Sequence, residues 1–198
     1  AVGRALLGTE TVPAYTAVLP GGGSRRSARP APDSSAVFFP ACIGTMFGPA
    51  DAAEGAGKGS AQAFLDLCER AGVRVTVPEG IESLCCGTPW KSKGFSQGYD
   101  AMAAKVLDGL YEASGRGKLP VVCDAASCTE GLDTMKRLVA AGDERYAGLR
   151  FVDSVEFVHQ HVLGRLTVTA PLKSIALHPT CSSTQLGQTR PCSRSPGR

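Results

Sequence analysis

The chain has 198 residues, a hydrophobic fraction of 43% and a formal net charge of +3 at pH 7. A chain of this length and composition can bury one substantial hydrophobic core, so we expect one globular domain. The charge is small and no Lys/Arg-rich run is interleaved with aromatic residues, which argues against nucleic-acid binding. No apolar run approaches the length of a membrane span, so no transmembrane segment is expected.

Residues 1–35 contain several prolines and the run Gly21-Gly22-Gly23, without sustained hydrophobic periodicity. This composition is typical of a linker or an extended lead-in. Arg25, Arg26 and Arg29 lie within it and are expected to be solvated.

Hydrophobic patterning from residue 36 onward predicts strands that alternate with helices. The predicted strands are 36–39, 73–77, 119–122, 150–152 and 173–177. The predicted helices cover about 60–71, 99–113, 130–141 and 154–163. This alternation indicates an α/β fold in which Rossmann-like layers of helices cover both faces of a parallel sheet.

Six of the eight cysteines come soon after predicted strands: Cys42, Cys85, Cys86, Cys123, Cys128 and Cys181. Ligands of such sheets bind beyond the carboxyl ends of the strands, near the point where the strand order reverses. We therefore expect these cysteine loops to converge on one edge of the sheet. Cys68 differs, because it recurs with apolar residues at helical spacing and is expected in the core.

A cluster of thiolates selects soft metals, so the live alternatives are zinc and an iron–sulfur cluster. Structural zinc sites use C-x-x-C pairs, and this chain has none. The adjacent Cys85 and Cys86 would chelate one small ion awkwardly because neighbouring side chains diverge, but they can serve different irons of a larger cluster. Disulfides are less expected, because such frameworks belong to short secreted chains without a core.

Four motifs, in this order, resemble the cysteine-rich CCG domains of iron–sulfur oxidoreductases: Pro40-Ala41-Cys42, Cys85-Cys86-Gly87, Ser127-Cys128 and His178-Pro179-Thr180-Cys181. Such domains occur in heterodisulfide reductases and in the iron–sulfur components of glycolate oxidase and anaerobic glycerol-3-phosphate dehydrogenase. The longer stretches 38–42, 85–94 and 177–183 look like the C-terminal part of bacterial FAD-linked D-lactate dehydrogenases of the cytochrome or quinone type. The resemblance extends from about Leu7 to Thr184.

The resemblance implies one 4Fe-4S cluster with the ligands Cys42, Cys85, Cys86 and Cys128. Cys123 is a substitute ligand, because Ala125 occupies the place of an expected cysteine. Cys181 belongs to a second ligand set that is incomplete, since no second Cys-Cys-Gly follows it. Gly87 either lets backbone amides approach the cluster sulfurs or is an ordinary turn glycine.

In that family an N-terminal flavin domain oxidises a 2-hydroxy acid, and electrons pass through iron–sulfur centres to a cytochrome or quinone. The resemblance thus implies an electron-transfer domain with two partners, a flavin dehydrogenase domain that carries FAD and a cytochrome or quinone acceptor. It assigns no catalytic residue to this chain, which alone is not expected to oxidise lactate. The expected location is the cytoplasm, with peripheral attachment to the inner face of the membrane.

Two alternatives stay open at this point. One is a heterodisulfide-reductase-like domain that carries out thiol redox chemistry. The other is a non-enzymatic α/β interaction domain whose cysteines bind zinc or are structural.

The cysteine-rich domain is expected to occupy residues 36–184, with its second repeat truncated. The chain begins with Ala rather than Met, so we expect a piece of a longer protein. Residues 185–198 hold two prolines, three arginines and no apolar run. This composition predicts an irregular tail in which Cys192 is incidental.

Overall fold

The computed structural model describes residues 2–8, 11–12, 21–49, 58–139 and 141–187. The strands are β1 (Ala36–Phe39), β2 (Val75–Thr76), β3 (Val121–Cys123) and β4 (Phe151–Asp153). They form one parallel sheet in the order β2-β1-β3-β4. The predicted α/β fold with a parallel sheet is therefore confirmed.

Eight α-helices occur in the described part of the chain. They are α1 (Val2–Leu7), α2 (Ile43–Met46), α3 (Gly59–Arg70), α4 (Thr88–Ser92), α5 (Ser96–Ala113), α6 (Ala126–Val139), α7 (Ser154–Phe157) and α8 (Cys181–Gln185). A π-helical turn, Val158–Val162, continues α7, so the predicted helix at 154–163 is formed in two parts. Within the described ranges, no helix is both long and apolar enough to span a bilayer.

β1 lies at the centre of the fold. All four of its residues are at most 1% exposed. Because successive side chains of a strand point to opposite faces, both faces of the sheet must be covered at this strand. On one face Phe38 packs against Phe64 of α3, with the two ring centroids 4.6 Å apart. The near-continuous apolar run at Ala36–Phe39 is what a central parallel strand requires.

The long helices α5 and α6 pack on each other and bury apolar side chains at helical spacing. Val106 and Leu110 of α5 and Leu132 and Met135 of α6 are fully buried. The apolar spacing of the predicted helix at 130–141 also places Leu138 in the core. This prediction is wrong, because the Leu138 side chain is 63% exposed where α6 ends.

The predicted fifth strand at 173–177 is also wrong. The segment is irregular, and Ile175 and Leu177 are more than half exposed. A parallel strand is stable when helices cover both of its faces. The helix that follows this segment, α8, instead contacts α6.

Residues 21–35 contact the domain, whereas the sequence predicts a solvated lead-in. Arg29 and Val77 exchange two backbone hydrogen bonds of 3.0 Å in an antiparallel bridge beside β2. The Gly23 amide donates to the Thr45 carbonyl at 3.0 Å. The sequence did not predict these contacts, because backbone hydrogen bonds require no hydrophobic pattern in the side chains. The predicted tail lies outside the described residues from position 188 onward, and Cys192 with it.

The core assignment can be tested with two leucines of the same helix. Replacing buried Leu132 with Ala should lower the free energy of unfolding by about 2–5 kcal/mol, because it removes apolar contacts and leaves a cavity. Replacing exposed Leu138 with Ala should change it by less than about 0.5 kcal/mol. Urea denaturation of the apoprotein measures both. Equal losses in the two variants would contradict the packing of α6.

Candidate functional site

Four cysteine side chains that are distant in sequence contact one another. These thiols lie near enough to shift one another's pKa in successive pairs, Cys42 with Cys85, Cys85 with Cys86, and Cys86 with Cys128. We call these four thiols the cysteine row. They are the same four residues that the motif resemblance selects as ligands.

The parallel sheet explains why these loops meet. Pro40 follows β1, and Cys42 comes immediately before α2. Cys85 and Cys86 lie between β2 and α4, and Cys128 lies in the first turn of α6 after β3. β1 is hydrogen-bonded to β2 on one side and to β3 on the other. The strand order therefore reverses at β1, and ligands of parallel sheets commonly bind beyond the carboxyl ends of the strands at such a point.

The row runs from partly exposed to buried thiols. Cys42 and Cys85 are partly exposed, whereas Cys86 and Cys128 are 3% and 5% exposed. The interaction with Cys128 raises the pKa of Cys86 to about 11, and burial adds to the rise while the interaction with Cys85 opposes it. Contact with Cys85 and burial likewise raise the pKa of Cys42. The apoprotein therefore holds Cys42 and Cys86 as neutral thiols at pH 7, and metal binding at these two residues must release their protons.

Gly87 serves the row in two ways. The pKa of Cys85 is raised: the interaction with Cys42 opposes the rise, the interaction with Cys86 and burial cause it, and the Gly87 backbone amide also opposes it. The φ of Gly87, +81°, suits glycine, and a Cβ at this position would lie 2.7 Å from the Tyr99 ring and also collide with Met135. Gly87 is thus a turn glycine whose backbone amide also lies near a candidate ligand sulfur.

Two residues that the sequence analysis did not single out hold the Cys86 loop against α6. The Cys86 thiol donates to Thr88 Oγ1 at 3.4 Å, and Thr88 Oγ1 donates to the Ser127 carbonyl at 3.0 Å. A Cβ at Gly131 would lie 2.9 Å from the Cys86 carbonyl oxygen, so the helix approaches the loop closely at this point. The signal for Gly131 was its position inside a helical pattern, where glycine is costly without a packing reason.

Tyr99 leaves an unpaired polar atom near the row. The side chain is 8% exposed, and within the described part of the chain its hydroxyl has no hydrogen-bond partner. Burial raises the pKa of Tyr99, and the charges of Glu130, Asp100 and Cys86 add to this. An unpaired buried hydroxyl costs about 1–3 kcal/mol, which a bound group with acceptor atoms could offset.

The other predicted ligands lie outside the row. Cys123, at the end of β3, is fully buried, and burial raises its pKa well above the ordinary value although a hydrogen bond with Thr129 opposes this. Cys181 is exposed at the start of α8. Cys68 is buried in α3, as expected for a core residue, and burial raises its pKa to about 11.

The geometry of the row is that of successive pairs. All seven cysteines in the described ranges are free thiols. In the same ranges, no three His, Cys, Asp or Glu side chains are grouped so that they could hold one metal ion. The interactions within the row join successive pairs of thiols, Cys42 with Cys85, Cys85 with Cys86 and Cys86 with Cys128.

Asp124 ties the Cys42 loop to the end of β3. Its Oδ1 accepts a hydrogen bond from the Ala41 amide at 2.6 Å, and its Oδ2 accepts one from Ser60 Oγ at 3.2 Å. Burial raises its pKa above the ordinary value of 3.8, although both hydrogen bonds oppose the rise. A carboxyl at the edge of the sheet thus fixes the residue next to a candidate ligand.

Replacing Gly87 with Ala should destabilise the fold more than replacing Gly94 with Ala. Both glycines have positive φ, so each variant incurs a backbone cost of about 1–2 kcal/mol. Only the Cβ at Gly87 meets neighbouring side chains, since nothing lies within 4 Å at Gly94. Denaturant titrations should therefore show that Gly87→Ala loses about 1–3 kcal/mol more of the free energy of unfolding than Gly94→Ala, because of the overpacking. Indistinguishable losses would show that Gly87 is not packed as described.

Asp124→Asn should change the pH dependence of stability. Because the folded-state pKa is raised, the stabilisation from Asp124 is fully present at low pH and is lost as pH rises through that pKa. Asn keeps an acceptor for the Ala41 amide and carries no charge. In urea titrations, the free energy of unfolding of the Asn variant should rise relative to that of the wild type as the pH increases from about 4 to about 7.

The matched variant Asp124→Ala removes both hydrogen bonds. Its free energy of unfolding should be about 1–3 kcal/mol lower than that of the wild type even at low pH. If the Asn variant followed the wild type at every pH, the burial of this charge would be disproved.

Comparison of the chain with protein-family models, with curated proteins and with solved structures gave no match. The likeness to CCG domains therefore stays a prediction from the sequence motifs, and the contacts of the row are independent of it.

Proposed function

We propose that this chain is the electron-transfer domain of an FAD-dependent 2-hydroxy-acid dehydrogenase, with D-lactate as the substrate class, and that the cysteine row holds a 4Fe-4S cluster. One observation carries the proposal: the thiols of Cys42, Cys85, Cys86 and Cys128, from three separate segments that follow β1, β2 and β3, lie near enough to shift one another's pKa. The motif order selects these four, and they are brought together without Cys68, Cys123 or Cys181.

The chemistry of the donor set favours a multinuclear cluster over one ion. A 4Fe-4S cluster takes one thiolate per iron, so its ligands surround a body of several atoms. A zinc ion needs its four ligands to converge on one point. Thiols arranged in successive pairs, two of them from adjacent residues, suit the first requirement better.

The exposure of the row indicates at which end electrons would be exchanged with partners. Cys42 and Cys85 are partly exposed, whereas Cys86 and Cys128 lie against α6 and the core. Electrons would enter and leave at the Cys42 and Cys85 end, where a partner can approach. The cluster supplies a one-electron carrier, and hydride removal with its FAD belongs to the flavin dehydrogenase partner.

The electron acceptor is a cytochrome or quinone, and the domain works in the cytoplasm at the inner face of the membrane. A redox domain of this kind has no need of a substrate pocket. A heterodisulfide-reductase-like domain would differ in binding a thiol substrate directly at the cluster.

Single Cys→Ser variants of Cys42, Cys85, Cys86 and Cys128 test the ligand set. After anaerobic reconstitution, the wild type should show the broad visible absorbance of an iron–sulfur cluster. Each of the four variants should lose most of it, because a serine hydroxyl stays protonated at neutral pH and is a poor ligand for iron. Cys68→Ser and Cys181→Ser are the matched controls and should keep the absorbance.

Cys123→Ser decides whether that residue substitutes for a ligand, and we expect it to keep the cluster. Wild-type absorbance in all four row variants, or loss confined to Cys68→Ser, would refute the ligand set. Absorbance that changes when a disulfide substrate is added would favour the heterodisulfide-reductase-like alternative.

A further inference from the structure

Arg26 connects the two loops that carry the exposed end of the row. Its guanidinium donates to the Pro40 carbonyl at 3.2 Å, to the Leu84 carbonyl at 2.8 Å and to the Glu82 carbonyl at 3.2 Å. The same group lies 5.9 Å from the centre of the Phe39 ring. One half-buried side chain from the lead-in thus contacts both loops.

The acceptors lie directly ahead of the candidate ligands. Pro40 is two residues before Cys42, and Leu84 is the residue before Cys85. A planar guanidinium offers donors in a rigid fork, so it fixes the distance between two acceptors better than a flexible ammonium does. The separation of Cys42 from Cys85 is therefore set in part by Arg26.

Arg26 also brings a positive charge to this end of the row. The pKa values of Cys42 and Asp124 are both raised overall, and the charge of Arg26 opposes the rise at each of them, so the charge acts on the cysteine loops. Reduction of a thiolate-ligated cluster adds negative charge, and nearby charges and hydrogen bonds are among the factors that set its potential. A fixed cation at this position favours the reduced state.

We propose that Arg26 is a positioning residue that spaces the Cys42 and Cys85 ligands and raises the reduction potential of the cluster. This inference rests on the proposed function. The sequence pattern of residues 21–35 gives no hint of it, because Arg26 stands in a Pro/Gly/Ser-rich segment. Only the hydrogen bonds across 14 and 58 residues of chain reveal the link.

The test compares the full chain as wild type, Arg26→Gln, Arg26→Lys and Arg25→Gln. Arg25 is the matched control, because it is the exposed neighbour with the same charge, and no hydrogen bond or ion pair joins it to a described residue. Each protein is reconstituted anaerobically with iron and sulfide. The midpoint potential is measured by redox titration followed by EPR, and the thermal midpoint of each apoprotein is measured separately.

We expect Arg26→Gln to lower both the midpoint potential and the thermal midpoint. Arg26→Lys should have the wild-type midpoint potential, because lysine keeps the positive charge. Its thermal midpoint should stay low, because an ammonium lacks the planar set of donors that a guanidinium offers to two acceptors. Arg25→Gln should match the wild type in both. Arg26→Gln that folds but takes up no cluster, while Arg25→Gln does, would also support the role in ligand spacing.

Two results would overturn the inference in distinguishable ways. A wild-type chain that takes up no cluster would refute the proposed function and this role together. A wild type that loads normally, with Arg26→Gln at the wild-type potential and only a lower thermal midpoint, would show that Arg26 is merely structural.

Discussion

The site depends on the position of β1 between β2 and β3. Because all strands of the sheet are parallel, their carboxyl ends share one edge. The chain leaves β1 toward β2 and later returns to the other side at β3, which opens a crevice at that edge. Cys42, Cys85, Cys86 and Cys128 come from loops beyond these strands and meet there. A different strand order would leave the same cysteines far apart.

The protein around the row holds the thiols close together, and this proximity raises the pKa of some of them. Interactions with the neighbouring thiols, together with burial, raise the pKa of Cys42 and Cys86, so the apoprotein avoids thiolates at both positions. A metal cluster bound at these residues would reverse this balance, because its positive irons would compensate the thiolates. Close packing of Gly87 and Gly131 and the Arg26 hydrogen bonds keep the loops in place meanwhile.

Hydrophobic periodicity was sufficient to predict the sheet and the long helices, since burial of β1, α5 and α6 follows directly from it. It failed at 173–177, where an apolar run stays exposed, because pattern alone does not show whether a helix will cover a strand. The cysteines of the row could be chosen from their motifs and positions after strands. Arg26 and Thr88 could not be chosen in this way. They act through side-chain hydrogen bonds to backbone carbonyls distant in sequence, and such bonds produce no periodic pattern in the sequence.

The most direct test of the central claim is the metal and sulfide content of the anaerobically reconstituted full chain. Iron, acid-labile sulfide and zinc are measured on the same sample, together with the EPR spectrum after reduction. A cluster held by the cysteine row predicts about four iron atoms and about four labile sulfides per chain, and the EPR signal of a reduced iron–sulfur cluster. Zinc retained without labile sulfide would contradict the account.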